Sequence, residues 1–212
     1  MKKIIIVGAG GFGREIAGWL EHVVPIQAIS IAGYLDDTME ANSQKAKRLP
    51  YPILGSIKDY KPGNDEYLVI AIGEPNGKFR VAQSLKARGA KFFNMIHPTA
   101  VVAQSAKIGE GIILCPFSLV SSDTQIGDFV TINVSSSIGH DAIVGDGSTL
   151  SSHNDLTAGV ELGKCVFMGT SASVVPGVKI GSGAKIGAGA IVVRDVQDNS
   201  TVYAAPARTL RI

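Results

Sequence analysis

An apolar residue recurs at every sixth position along the second half of the chain, and the register never slips. A period of six fits neither an α-helix, with about 3.6 residues per turn, nor a flat strand, with a period of about 2. It is the period of a parallel β-helix, in which each hexapeptide forms a short strand and a turn, and three hexapeptides form a triangular coil. The predicted inward-pointing residues are Ile96, Val102, Ile108, Leu114, Val120, Ile126, Ile132, Ile138, Val144, Leu150, Leu156, Leu162, Met168, Val174, Ile180, Ile186 and Val192.

The residues between the inward positions support this interpretation. Glycine often follows the inward residue, and we expect it to relieve unfavourable backbone angles at the corners of a tight coil. Small residues stand four places after the inward residue, where the walls of the coil converge. The glycines are Gly109, Gly127, Gly139, Gly145, Gly163, Gly169, Gly181 and Gly187, and the small residues include Ala106, Ser118, Ser136, Ala142, Ser148, Ala172, Ala184 and Ala190.

The first 95 residues alternate between strand and helix patterns. Apolar runs predict strands at residues 4–7, 28–35, 67–72 and 91–96, and amphipathic segments predict helices at 14–21 and 77–88. Residues 38–66 are less regular and are expected to be a loop with short elements. This is the order of a small parallel sheet covered by helices. We therefore predict an N-terminal α/β domain of βαβ type, a Rossmann-like half, over residues 1–95. A left-handed parallel β-helix of hexapeptide repeats follows over residues 96–195, with a C-terminal cap at 196–212, because a repeat stack needs capped ends.

Composition sets broad limits on the function. The chain has 212 residues, 45% of them hydrophobic and 18% charged, as in a soluble globular protein. Its net charge of +2 gives no argument for binding nucleic acid or a membrane, and no segment is long enough to cross a membrane. Cys115 and Cys165 lack the spacing of a metal site, so we expect structural thiols and no metal. A cytoplasmic location is the expectation.

A glycine-rich segment at residues 8–13 joins the first predicted strand to the first helix and matches the G-x-G-x-x-G fingerprint. Its glycines would let the backbone approach a phosphate at the helix N-terminus; the alternative is a tight strand-helix turn. Only one mononucleotide-binding half is present, which favours a nucleotide joined to a sugar over a dinucleotide. Asp36 and Asp37 end the second strand and could accept hydrogen bonds from a ribose or a base; the alternative is a solvated turn.

The chain contains four histidines: His22, His97, His140 and His153. We expect His22 to be solvated at the end of a helix and His97 to be a structural corner. His140 stands two places after an inward residue, so its side chain should face outward with Asp141 beside it. A histidine with a carboxylate partner is a candidate general base near neutral pH, and the alternative is an ordinary surface pair.

Four motifs together resemble a known family of enzymes. They are Gly-Ala-Gly-Gly-Phe-Gly-Arg-Glu at residues 8–15, Ile-His-Pro-Thr-Ala-Val at 96–101, Gly-His-Asp at 139–141 and Ala-Ala-Pro-Ala-Arg at 204–208. The chain resembles the sialic-acid O-acetyltransferase type of sugar acyltransferase, and in particular the branch that N-acetylates nucleotide-linked amino sugars. The resemblance implies acetyl-CoA as co-substrate, a nucleotide-linked sugar as acceptor, a homotrimer with active sites between subunits, and a role in surface-glycan biosynthesis.

The resemblance also implies roles for individual residues. His140 corresponds to the proton acceptor of the family and Asp141 to the acid that raises its basicity, while the backbone N–H of Ala158 lies where a thioester carbonyl is polarised. The implied nucleotide-sugar contacts are Phe12, Gly13, Asp36, Asp37, Gly73 and Asn133, and the implied acetyl-CoA contacts are Thr149, Thr170 and Ala188 together with Ala158.

Two departures from the family leave alternatives open. Relatives have a second histidine where this chain has Thr149, and this chain instead has His153 in a position where relatives often have glycine. His153 could replace the missing coenzyme contact, bind substrate or act as the base, although His140 is preferred. Residues 41–48 are an insertion near the sugar site.

Other functional classes stay open at this stage. O-acetylation of sialic acid or another sugar is the first alternative, and a non-catalytic β-helix binding protein is the second. A fused nucleotidyltransferase would need a longer N-terminal domain with a basic motif, and a serine acetyltransferase usually has a helical one.

Overall fold

The computed structural model describes residues 1–38 and 43–205. The N-terminal domain is a parallel sheet of five strands, with the spatial order β3-β2-β1-β4-β5. Its strands are β1 (Lys2–Val7), β2 (Ile29–Leu35), β3 (Ile53–Gly55), β4 (Glu66–Ile70) and β5 (Lys91–Phe92). Its helices are α1 (Gly11–Val23) and α2 (Pro75–Ala87), and a 3-10 turn covers Ala46–Arg48. The predicted α/β domain is confirmed.

The second half is a parallel β-helix of two-residue strands, in which a strand pairs with the strand 18 residues further along the chain. At the C-terminal end of face 1 the spacing is 16 residues, because Lys185 pairs with Thr201. Face 1 consists of β6 (Met95–Ile96), β9 (Ile113–Leu114), β12 (Thr131–Ile132), β15 (Thr149–Leu150), β18 (Phe167–Met168), β21 (Lys185–Ile186) and β23 (Thr201–Val202). Face 2 consists of β7 (Val101–Val102), β10 (Leu119–Val120), β13 (Ser137–Ile138), β16 (Asp155–Leu156), β19 (Ser173–Val174) and β22 (Ile191–Val192). Face 3 consists of β8 (Lys107–Ile108), β11 (Gln125–Ile126), β14 (Ile143–Val144), β17 (Glu161–Leu162) and β20 (Lys179–Ile180).

The predicted inward residues form the core of this β-helix. From Leu114 to Val192 every one of them is buried, and Ile96, Val102 and Ile108 in the first coil pack against the same cluster. The small residues four places later, such as Ser136 and Ala172, are fully buried as well. The predicted fold class is therefore confirmed.

The predicted role of the corner glycines is wrong. The left-handed backbone conformation falls three places after the inward residue, and non-glycine residues such as Asp141 and His153 adopt it with φ of +60°. The glycine that directly follows the inward residue is needed for a different reason. A Cβ on Gly139 would lie 2.6 Å from the carbonyl carbon of Thr157 and 2.7 Å from the nitrogen of Ala158. These glycines let successive coils approach closely.

The predicted strand at residues 91–96 is divided in two. Lys91–Phe92 closes the N-terminal sheet, and Met95–Ile96 opens the β-helix after a bend. Asn94 holds the bend, because its amide donates to the carbonyl of Gly109 at 2.9 Å and accepts from the N–H of Ile112 at 3.1 Å. The chain thus passes from sheet to β-helix within four residues.

The three faces of the β-helix differ in what covers them. The N-terminal domain packs against face 1, where Ile113 and Cys115 join the apolar cluster of β1, β2 and α1. Face 3 presents charged side chains, including the ion pair of Lys179 with Glu161 at 3.0 Å. Face 2 carries exposed apolar side chains, namely Val101, Leu119 and Ile191. Neither helix of the described chain is long and apolar enough to span a membrane.

Candidate active site

A cavity of about 230 Å³ lies between the N-terminal domain and face 1 of the β-helix. It brings together four of the predicted site residues. The family resemblance implies a coenzyme contact for Thr149 and nucleotide-sugar contacts for Phe12, Gly73 and Asn133. The lining residues are Phe12, Glu15, Gly73, Thr131, Asn133, Thr149, Ser151 and Phe167. With two aromatic rings, several hydroxyls, an amide and one carboxylate, the cavity offers both apolar and polar surface to a small polar ring.

A second cavity of about 340 Å³ adjoins the glycine-rich loop. Gly10 and Gly11 lie at its wall, and a Cβ on either would meet nothing within 4 Å, so the backbone is open to a ligand. Arg14, Lys45 and Arg48 line the same cavity. The N-terminus of α1 and these cations make it suitable for an anion.

Gly13 has a packing role in this loop. A Cβ on Gly13 would lie 2.0 Å from the carbonyl oxygen of Gly8, so only glycine allows α1 to start this close to β1. Gly13 is buried and lines neither of the two cavities described here. The structure therefore explains this glycine by strand-helix packing without a ligand.

Asp36 and Asp37 both accept hydrogen bonds from the backbone. Asp36 accepts from the N–H of Ala9 at 2.7 Å and so ties the end of β2 to the glycine-rich loop. Asp37 accepts from the N–H groups of Ile57 and Lys58 at 2.7 and 3.2 Å. Both carboxylates thus shape the carboxyl edge of the sheet, where nucleotides bind in open α/β sheets.

His140 and Asp141 form an exposed pair at the edge between faces 2 and 3. The Nδ1 atom of His140 lies 2.7 Å from the carboxylate of Asp141, and more than half of each side chain is accessible to solvent. An ionised carboxylate at this distance places the imidazole proton on Nδ1 and leaves the lone pair of Nε2 free. Within the described part of the chain, Nε2 has no hydrogen-bond partner.

Ala158 lies directly beside His140, one coil further along the same edge. The N–H of Gly159 donates to the carbonyl of His140 at 2.9 Å, which fixes this spacing. The N–H of Ala158 itself donates to no group in the residues described. Since Gly139 has no side chain to cover it, this donor is accessible next to His140.

The remaining predicted coenzyme contacts lie on another edge, between faces 1 and 2. Thr170 and Ala188 occupy equivalent corners one coil apart, and the N–H of Gly189 donates to the carbonyl of Thr170 at 2.9 Å. His153 is exposed on the same edge and one coil earlier. Within a single chain, face 2 separates this edge from His140.

The third edge of the prism differs from these two in its hydrogen bonds. There, side chains of the next coil accept the corner N–H groups of Glu110, Asp128, Lys164 and Ser182. At Ala158, Thr170 and Ala188 the equivalent N–H groups donate to nothing in the parts of the chain that are described. The two edges that flank face 2 thus offer free backbone donors, which a bound ligand could use.

Lys78 is a buried cation that the sequence did not reveal. It begins the second turn of α2, is 1% exposed, and contacts the outer surface of face 1. Its ammonium donates to the hydroxyls of Thr131 and Thr149 at 3.0 and 2.7 Å and to the carbonyl of Ser148 at 3.0 Å. Burial lowers the pKa of Lys78 to about 7. Lysine within an amphipathic helix usually faces solvent, so no local pattern distinguishes this one.

The other histidines pair with each other across the domain interface. The Nδ1 of His22 lies 2.8 Å from the Nε2 of His97, and the Nδ1 of His97 lies 2.8 Å from the hydroxyl of Thr99. His97 is buried, as expected of a structural corner. His22 is exposed at the end of α1, as expected, and it also contacts His97, which the sequence did not predict. Burial and the neighbouring His22 lower the pKa of His97.

Both cysteines are free thiols. Cys115 is buried, as expected, and Cys165 is only half-buried. No group of three or more His, Cys, Asp or Glu residues in the described parts of the chain could hold a metal ion. Residues 206–208 of the C-terminal motif and 41–42 of the insertion lie outside the described residues.

Comparisons with known proteins bear on both halves of the chain. Residues 3–85 match the PglD N-terminal domain family. A UDP-N-acetylbacillosamine N-acetyltransferase of Bacillus subtilis (strain 168) is 32% identical over 117 residues, which make up 54% of this chain and 51% of that protein. The chain therefore spans about half the length of this curated relative.

Solved structures match nearly the whole chain. The acetyltransferase domain of PglB from Neisseria gonorrhoeae FA1090 is 26% identical with a TM-score of 0.87, and the match covers 99% of this chain and 100% of that domain. PerB from Caulobacter crescentus, in complex with CoA and GDP-perosamine, is 27% identical with a TM-score of 0.83 over 98% of this chain and 97% of that one. The resemblance to hexapeptide-repeat sugar acyltransferases is confirmed. A second structure of the PglB domain contains acetyl coenzyme A, so an acetyltransferase domain of this fold binds the predicted co-substrate.

Proposed function

We propose that the protein is an acetyl-CoA-dependent N-acetyltransferase that acts on a nucleotide-linked amino sugar. The single observation that carries this proposal is the His140–Asp141 pair beside the free N–H of Ala158, on a fold shared with sugar N-acetyltransferases. The relatives act on, or bind, nucleotide-linked sugars and acetyl-CoA according to their names.

The proposed reaction is a direct transfer. The amine nitrogen of the sugar attacks the thioester carbonyl of acetyl-CoA while Nε2 of His140 accepts the amine proton. Asp141 holds the Nδ1–H and stabilises the imidazolium, and such a positioned base contributes on the order of 10²–10⁴-fold. The N–H of Ala158 donates to the oxyanion of the tetrahedral intermediate. The intermediate then collapses, and the CoA thiolate leaves and takes the proton from His140.

Each half of the molecule would hold one part of the substrates. The basic cavity at Gly10, Gly11 and Arg14 suits the diphosphate of the nucleotide sugar. The free N–H groups at Thr170 and Ala188 suit acetyl-CoA, in accordance with the predicted coenzyme contacts. Asp36 and Asp37, at the carboxyl edge of the sheet, would face the nucleoside.

The complete site needs a second copy of the chain. His140 and Ala158 lie on one edge of face 2, whereas Thr170, Ala188 and His153 lie on the other. Three copies that pack face 2 around a threefold axis would bring unlike edges together and form three equivalent clefts. The exposed Val101, Leu119 and Ile191 supply the apolar surface for such contacts. We therefore propose a homotrimer with its active sites between subunits.

The cellular role is part of the proposal. Nucleotide-linked amino sugars are building blocks of surface glycans, and we place the enzyme in that biosynthesis and in the cytoplasm. O-acetylation remains the alternative reaction, because an imidazole base would serve a sugar hydroxyl equally well.

A thermal-shift screen of UDP-, dTDP-, GDP- and CMP-linked amino sugars, each with and without acetyl-CoA, tests the proposal. We expect one nucleotide sugar to raise Tm, and acetyl transfer to that sugar to follow by mass spectrometry, at nitrogen and not at oxygen. A protein that binds neither acetyl-CoA nor any of these sugars would instead be a non-catalytic β-helix.

The base assignment has its own test. His140→Ala should lower kcat by at least about 100-fold, whereas His153→Ala should change mainly the KM for acetyl-CoA. Structures of the C. crescentus perosamine N-acetyltransferase include two variants in which a histidine is replaced, which encourages the same substitution here. Near wild-type kcat in His140→Ala, with a large loss in His153→Ala, would reverse the assignment.

A further inference from the structure

The ammonium of Lys78 lies buried between the two domains without a carboxylate partner. All three of its protons are used, and all three acceptors are neutral oxygens of the β-helix. After burial, the groups that act on its pKa are the thiol of Cys165 and then the carboxylate of Glu74, and both raise it. The Glu74 carboxylate already accepts from the N–H groups of Asn76 and Gly77 at the start of α2. An unpaired buried charge is costly, and an apolar side chain of similar volume is often no less stable. Stability alone therefore does not explain a lysine here.

The contacts of Lys78 fix the direction of two hydroxyl groups. In its protonated form Lys78 is a donor only, so below its pKa of about 7 both threonine hydroxyls must act as acceptors toward it. Each hydroxyl keeps one proton of its own, and neither Thr131 nor Thr149 donates that proton to any group in the described residues. The two threonines are register partners on adjacent coils of face 1. Both line the 230 Å³ cavity, so two hydroxyl protons are available to a ligand there.

The other lining residues of the cavity indicate which kind of ligand the two threonine hydroxyls would contact. Phe12 and Phe167 provide apolar surface for the face of a ring, and Asn133 provides a further polar group. Glu15 lines the same cavity, and its carboxylate disfavours a phosphate while suiting an amine. The adjoining basic cavity of Arg14, Lys45 and Arg48 better suits the diphosphate. At about 230 Å³, the space is smaller than a typical site for a drug-sized ligand and fits a single sugar ring.

We propose that Lys78 is a positioning residue that makes the hydroxyls of Thr131 and Thr149 hydrogen-bond donors to oxygen atoms of the sugar ring. The inference rests on the proposed function, because it assigns the sugar of the nucleotide-linked substrate to this cavity. Lys78 does not touch the sugar. Lys78 makes the hydroxyls of Thr131 and Thr149 donate toward the cavity. The site therefore selects a sugar with acceptor oxygens at adjacent positions.

Lys78→Met tests the positioning role, with Lys86→Met on the same helix as the matched control, because Lys86 is exposed. Calorimetry measures the Kd of the best nucleotide sugar from the screen and of its parent nucleoside diphosphate. We expect Lys78→Met to raise the Kd of the nucleotide sugar about tenfold or more, which corresponds to the loss of one or two hydrogen bonds. The Kd of the nucleoside diphosphate should change by less than about twofold. The Tm of the free protein should not fall.

A threonine series keeps the test valid if the methionine variant misfolds. Thr149→Ser and Thr131→Ser retain the hydroxyl and should bind the nucleotide sugar like wild type. Thr149→Val and Thr131→Val have nearly the same shape without the hydroxyl and should each lose about tenfold in Kd. Equal Kd values for the serine and valine variants would overturn the proposal.

Two other results would also overturn it. If Lys78→Met raised the Kd of the nucleotide sugar and of the nucleoside diphosphate by the same factor, the threonine hydroxyls would donate to phosphate oxygens and not to the sugar. A lower Tm with unchanged affinities would make Lys78 purely structural. Failure of the wild-type protein to bind any nucleotide sugar would instead contradict the proposed function itself, so the two failures are distinct.

Discussion

The Nδ1 atom of His140 lies 2.7 Å from Oδ2 of the adjacent Asp141. Neighbouring residues in a strand point to opposite faces, so this contact depends on the corner between them. Asp141 has a φ of +60°, and this left-handed conformation turns its side chain back toward the imidazole. Aspartate and asparagine tolerate the left-handed region better than most residues. The backbone of the β-helix corner therefore builds the pair that we propose as the base.

Asp141→Asn separates the charge of Asp141 from its backbone role. Asparagine keeps the left-handed corner and the shape but cannot stabilise an imidazolium, so we expect kcat for acetyl transfer to fall about 100-fold with Tm unchanged. Asp141→Ala should show the same loss in kcat and an added loss of about 1–2 kcal/mol in the free energy of unfolding, from backbone strain. A fully active Asp141→Asn enzyme would show that the charge does not serve catalysis.

The His22–His97 pair predicts that stability decreases in mild acid. The pKa of His97 is lowered in the folded protein by burial and by His22, so the unfolded chain binds more protons below the ordinary histidine pKa of about 6.5. With respect to His97, the free energy of unfolding should therefore be at its maximum above pH 6.5 and should decrease as the pH falls below that value. Urea denaturation of wild type and His97→Gln between pH 5 and 8 measures the difference. If the free energy of unfolding of the variant depends on pH as strongly as that of wild type, groups other than His97 cause the decrease.

Gly139→Ala tests the close approach of successive coils beside the proposed active site. A Cβ there would meet backbone atoms of Thr157 and Ala158 at 2.6 and 2.7 Å, and we expect a loss of about 3 kcal/mol in the free energy of unfolding. Gly159→Asn is the control, because Gly159 has a φ of +64° and open space around it. Asparagine should cost less than about 1 kcal/mol at this corner. Similar losses in both variants, measured by urea denaturation, would contradict the steric explanation.

The difference between faces 2 and 3 predicts which surface forms the oligomer. Leu119 on face 2 and Ile143 on face 3 are equally exposed, at 40% each. Leu119→Asp should dissociate the proposed trimer because it places a charge in the proposed interface, while Ile143→Asp should leave the mass unchanged. Light scattering coupled to size exclusion measures both. Dissociation by Ile143→Asp alone would move the interface to face 3.

The sequence alone determined the architecture of both halves. A strict period of six places one side chain per hexapeptide in the core, and that regularity is visible in any stretch between Ile96 and Val192. The alternation of apolar strands with helices likewise predicted the N-terminal sheet, and short elements within residues 38–66 without their positions, although not the bend at Asn94. The outward position of His140 next to Asp141 also followed from the count, since two places after an inward residue lies at a corner.

The tertiary structure alone decided which distant side chains meet. Lys78 contacts Thr131 and Thr149 across 53 and 71 residues of chain, and His22 contacts His97 across 75. Such contacts depend on how α1 and α2 pack against face 1, and no periodic pattern in the sequence predicts that packing. The same holds for the corner glycines, because the distance between stacked coils exists only once the coils have formed. Local patterns determine how each element folds, whereas burial between elements determines the hydrogen-bond partners and the pKa of Lys78 and His97.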